Sequence, residues 1–135
     1  MKKLLLPLAA GLLLCGCADK KAQEKALTDT VVTMHEKVMD EDGKLEDNRT
    51  ALNTLVKNNP SGALKDSANV YLNKLQLADS AMMIWMHGFS PELTKSHEEN
   101  MAYMGKQKKL IMHIDSQMSA AVAASAKFIA KTKTK

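Results

Sequence analysis

The chain reads as an all-α protein, an antiparallel up-down-up three-helix bundle with coiled-coil-like packing. Three observations carry that reading. Apolar residues recur at alternating three- and four-residue intervals along three long segments. Breaks containing proline, Asn58-Asn59-Pro60-Ser61-Gly62 and Gly88-Phe89-Ser90-Pro91, separate them. No run of alternating β-branched residues and no hairpin signal interrupts the pattern. Connections this short force neighbouring helices to be antiparallel. At a rise of 1.5 Å per residue, the rod is expected to be about 40–50 Å long.

The N-terminus precedes the bundle and carries a different signal. Lys2 and Lys3 give a positive start, and residues 4–14 form an apolar run broken by Pro7 and Gly11. That run is short for a membrane-spanning helix, which takes about 20 apolar residues. It reads instead as a signal peptide over residues 1–16. The site Leu14-Cys15-Gly16-Cys17 resembles the lipobox of bacterial lipoproteins: Leu three residues before the cut, a small residue just before it, Cys just after it. The resemblance implies that Cys17 receives a diacylglyceryl thioether, that cleavage follows, and that the new amine is acylated. The protein would then be held on a lipid bilayer through acylated Cys17. Several acyl chains on one cysteine make such attachment effectively permanent. With Cys15 removed, the chain has no second thiol, so no disulfide is expected.

Residues 17–27, the lipidated Cys with a polar stretch rich in Lys, Glu and Gln, are expected to be a tether. The bundle is placed at residues 28–130. The first helix is expected from about Thr28 to Asn58, with a stripe of Leu27, Val31, Met34, Val38, Leu45, Leu52 and Leu55. Glu41 and Asn48 interrupt that stripe, and Gly43 weakens its middle by about 1 kcal/mol relative to Ala. The second helix, from about Ser61 to His87, has the cleanest spacing: Leu64, Ala68, Tyr71, Leu75, Ala78, Met82, Trp85 and Phe89. Gly88 is expected to close it as the left-handed residue after the last turn. The third helix starts near Ser96, where Ser96-His97-Glu98-Glu99 fits a capping box. Its stripe is Met104, Ile111, Ile114, Met118, Ala121 and Phe128. Residues 131–135 are expected to be a basic, solvated tail.

The 135 residues carry a formal net charge of +4, unevenly spread: lysines crowd the chain after Lys106 while the middle is acidic. Nucleic acid is not an expected partner, because the export signal removes the chain from the cytoplasm and aromatics are few.

Motifs for chemistry mostly fail on inspection. Asp40-Glu41-Asp42-Gly43 does not fit a calcium loop: with Gly43 at position 6, Val38 and Arg49 stand where the first ligand and the bidentate Glu belong. His35-Glu36 and His97-Glu98 lack a second His four residues on, where Met39 and Met101 stand. No nucleophile elbow and no phosphate-cradling glycine loop occurs. The chain is therefore expected not to be an enzyme.

Ten methionines are the unusual feature. Folding the chain back at Pro60 and Pro91 places Met34, Met39, Met82, Met83, Met86, Met101 and Met104 at one end of the rod. His35, His87, His97 and Trp85 go with them, and Met83 is expected level with residues 99–101. Two site readings follow. Thioether and imidazole donors suit Cu(I), with Met83, His87 and His35 as ligands; otherwise no cofactor is expected. Alternatively Met83, Met86 and Phe89 form an adaptable apolar contact for a partner, Met86 and Phe89 foremost. The sustained helical spacing also suits self-association.

The strings Thr33-Met34-His35-Glu36-Lys37-Val38-Met39, Trp85-Met86-His87-Gly88-Phe89 and Glu98-Glu99-Asn100-Met101-Ala102-Tyr103 are similar to small helical lipoproteins of Bacteroidota. Some of these bear a label borrowed from viral A-type inclusion proteins. The resemblance implies coiled-coil-like helices and carries no site residues. Ala18, after the cysteine, is not the Asp that retains lipoproteins in the inner membrane of enteric bacteria. The expected place is the outer membrane, on either side of it. The expected role is a membrane-anchored, non-enzymatic interaction or structural module of the cell envelope, with periplasmic copper binding as the alternative.

Overall fold

The computed structural model describes residues 13–59 and 62–133, with side chains from Asp19 onward. It is a three-helix bundle: α1 (Leu13–Asn58), α2 (Ala63–Gly88) and α3 (His97–Lys133). No strand occurs among the described residues. None of their helices is long and apolar enough to cross a membrane. Most of the expected signal peptide lies outside the described residues, as do Pro60, Ser61 and the last two residues of the tail. The side chains of Cys15 and Cys17 lie outside them too.

The core follows the seven-residue repeat. In α1, Val31, Val38, Leu45 and Leu52 are completely buried at intervals of seven. Leu27, Met34 and Leu55 flank them, partly buried. In α2 the buried set is Ala68, Leu75, Ala78, Met82 and Trp85. In α3 it alternates by four and three from Asn100 through Met104, Gln107, Ile111, Ile114, Met118 and Ala121 to Ser125. Such knobs at a and d positions are the seam of coiled-coil packing.

Three of those α3 positions are polar, and each is satisfied. The buried Trp85 indole donates to Gln107 Oε1 at 2.9 Å, which ties α2 to α3. Asn48 Nδ2 donates to Ser125 Oγ at 2.9 Å and to the Val122 carbonyl at 3.0 Å. Asn100 bonds the backbone at Lys95 through both ends of its amide. A buried polar group without a partner costs about 1–3 kcal/mol, so the Trp85–Gln107 and Asn48–Ser125 pairs resist slippage of the helices.

Helix boundaries differ from the expectation at three places. The polar stretch expected as a tether is helical and continuous with α1. Ala, Lys, Glu and Gln are strong helix formers, so that composition favours a helix as much as a linker. The stretch is also held sideways: Glu24 Oε1 meets His97 Nδ1 at 2.9 Å, and Lys20 reaches Glu98 at 3.6 Å. Secondly, Gly88 is not left-handed; it lies inside α2, and Phe89 follows in extended backbone. The positive φ falls instead on Gly62, at 97°, before α2. Thirdly, α3 continues to Lys133 through residues expected as a tail.

The start of α3 matches the capping box. Ser96 Oγ accepts from the Glu99 amide at 3.3 Å, and Glu99 Oε2 accepts from the Ser96 hydroxyl and amide. Ser96 holds the Glu99 carboxyl below the usual range. Glu98 is lowered first by its own backbone amide and then by Lys20.

The register of α3 departs from a simple fold-back at Pro91. Trp85 stands near the end of α2, yet its partner Gln107 lies well inside α3. The first turns of α3 therefore extend past the end of α2. There they pack beside the beginning of α1, through the Glu24–His97 and Lys20–Glu98 pairs. The 89–96 connection covers that end, with Leu93 packed on the core and the Ser90 amide donating to the Tyr103 hydroxyl at 2.8 Å.

Two outcomes test this fold. Gln107→Leu keeps the volume but strips the indole of its acceptor, and should cost about 1–3 kcal/mol in chemical denaturation. Trp85→Phe in that background should cost less than in the native chain. Ser96→Ala should cost about 1 kcal/mol. Because the folded Glu99 carboxyl titrates below its unfolded value, its contribution is complete above the unfolded range and fades as pH falls through the lowered folded value. The Ser96→Ala penalty should shrink over that acid window.

Candidate functional sites

Two features stand out from the packed core: an apolar groove between α2 and α3, and a small methionine-lined cavity between α1 and α2.

The groove arises from side-chain size. Ala81 and Gly88 of α2 line one stretch with Leu110 and Ile114 of α3, and Ala78 lines the next with Ala120, Ala121 and Ala124. The alanines and the glycine are too short to fill the space between two helices. The result is a pair of open depressions of about 430 and 400 Å³, end to end along the same face. Their rims carry exposed apolar residues, Leu77 at 59%, Ile84 at 74% and Leu110 at 41%, beside Lys74, His113 and Gln117. Val70, at 54%, extends the row, so that Val70, Leu77 and Ile84 repeat every seven residues along α2. This is a second heptad stripe on a helix that already has one facing the core. In the sequence the stronger core stripe masks it, although its seven-residue apolar spacing is a signal of the same kind.

The methionine cavity measures about 60 Å³ and is lined by Met39, Met82, Met83, Met86 and Met118, with Asp42 and Asp79. Met82 and Met118 are core residues. Met39 and Met83 are 41% and 45% exposed, and Met86 is partly buried. Asp79 bonds Arg49 at 2.9 Å.

The expected grouping is thus redrawn by the register. Met83 is not level with residues 99–101; the α3 residue that shares its cavity is Met118. Met118 takes the place that the fold-back gave to Met101 and Met104. His97 is engaged with Glu24. His35 packs its ring against Trp85, centroids 5.6 Å apart, and lines a neighbouring cavity with Met86 and Phe89. His87 bonds the carbonyl of Met83 through Nδ1 at 2.7 Å and lies outside both cavities. Among the described residues, no three His, Cys, Asp or Glu side chains converge as a metal site.

Met86 and Phe89 are partly buried. Phe89 stacks on Trp85 at 4.6 Å, and both residues pack against the core. Phe89 continues the buried stripe of α2, and the apolar surface lies on the next face round, at Leu77 and Ile84.

No family model matches the chain, and no curated protein or solved structure matches it either.

Proposed function

We propose that this chain is a bacterial envelope lipoprotein, anchored in the outer membrane through acylated Cys17, whose bundle acts as a non-enzymatic docking module. The observation that carries the docking is the exposed row of Val70, Leu77 and Ile84 beside an unfilled apolar groove. Covering such a surface is favourable, because apolar area removed from water releases about 25 cal/mol per Å². The occupant that fits is an amphipathic helix with its own seven-residue apolar spacing, from another envelope protein or a second copy. Such a helix would complete a four-helix arrangement along α2 and α3. The lipobox residues Leu14-Cys15-Gly16-Cys17 support the anchor, and the seamless run of α1 from that site into the bundle would set the module directly above the lipid.

Leu77→Lys and Ile84→Lys change exposed residues, so thermal stability should stay within about 0.5 kcal/mol. Complexes crosslinked in membrane fractions should nevertheless be lost, and sedimentation of the purified chain alone separates self-association from a distinct partner. Crosslinks that survive both substitutions would sink the docking reading. Mass spectrometry of the membrane-extracted protein should find residue 17 as the acylated N-terminus; an intact leader would rule out the anchor.

A further inference from the structure

We propose that Met39, Met83 and Met86 form a binding site for a soft monovalent metal ion, Cu(I), at the α1–α2 surface. The groove and the lipid anchor play no part in this inference.

The placement comes from helix geometry. Met83 and Met86 are three residues apart on α2 and share one face, while Met39 comes across from α1. All three line the same cavity and remain partly open to solvent, so an ion has a path to them. Met82 and Met118 close its floor as core residues. At about 60 Å³ the cavity is far below the 300–1,000 Å³ of organic-ligand pockets. It is the size of an ion or of very few waters.

The donor chemistry selects the metal. Neutral, polarizable thioethers favour Cu(I) over harder divalent ions. Two carboxylates line the cavity: Asp79 shares Arg49 with Glu46, and Asp42 adds a negative charge that favours a cation. His87 is left out of the ligand set, because it lies outside the cavity and its Nδ1 is bonded to the Met83 carbonyl. The site is thus built from both helices, in place of the Met83, His87 and His35 set that spacing alone suggests.

The test is a competition titration of the full chain in detergent. Cys15→Ser and Cys17→Ser are present throughout, so that no thiolate competes, and Cu(I) is supplied with ascorbate against a chromogenic chelator. One Cu(I) per chain should bind with micromolar or tighter affinity. Met39→Leu, Met83→Leu and Met86→Leu conserve volume. Each should weaken binding at least about tenfold, with helix content unchanged. His87→Ala should leave affinity unchanged, and X-ray absorption of the loaded protein should show a sulfur shell. The proposal is overturned if the triple Leu variant binds like its parent, if the parent fails to compete at micromolar Cu(I), or if nitrogen dominates the shell.

Discussion

The parallel seam between α1 and α3 governs the rest of the structure. Val31, Val38, Leu45 and Leu52 are fully buried at seven-residue intervals, and that alone would tolerate a slip of one heptad. Asn48 removes the ambiguity. Its half-buried amide finds Ser125 Oγ and the Val122 carbonyl in one register, and a slip of one heptad would break both bonds. The partly exposed Lys37–Asp115 pair agrees with the same alignment and adds little energy of its own. A single polar residue at a core position is a known device for fixing register in coiled coils.

From that alignment follow both candidate sites. It places the beginning of α3 beside the beginning of α1, beyond the end of α2, where the 89–96 connection fills in for the missing helix. It brings Met118 behind Met82 and so closes the methionine cavity. It also sets the alanines of α3 opposite Ala78 of α2, which leaves that stretch of the groove open. Small residues between helices ordinarily let backbones approach closely. Here α2 and α3 are each held against α1, and the shortfall becomes a depression rimmed by Leu77, Ile84 and Leu110.

The architecture is legible in the sequence because periodicity reports burial directly: Val31 through Leu52 and Ala68 through Trp85 all lie on the expected stripes. Ser96 and Glu99 are legible because a capping box is a local event, decided within four residues. Asn100, Gln107 and Ser125 are not, since a polar residue on a buried stripe is recognisable only once its partner is known. The methionine grouping is partly legible. Met39, Met82, Met83 and Met86 meet as the α1–α2 turn requires, but α3 enters with Met118 because Pro91 does not act as a symmetric fold-back point. The outer stripe of Val70, Leu77 and Ile84 is present in the spacing, but spacing alone does not say which of two stripes on one helix faces the core.

We propose the α2–α3 groove as the docking surface of the bundle. Site-specific photocrosslinking in intact cells tests this most directly, with the reactive side chain placed in turn at Leu77, at Ile84 and at the exposed Asp47 of α1. Defined protein adducts should form from the two groove positions and not from Asp47. Equal labelling from all three positions, or adducts from Asp47 alone, would contradict it.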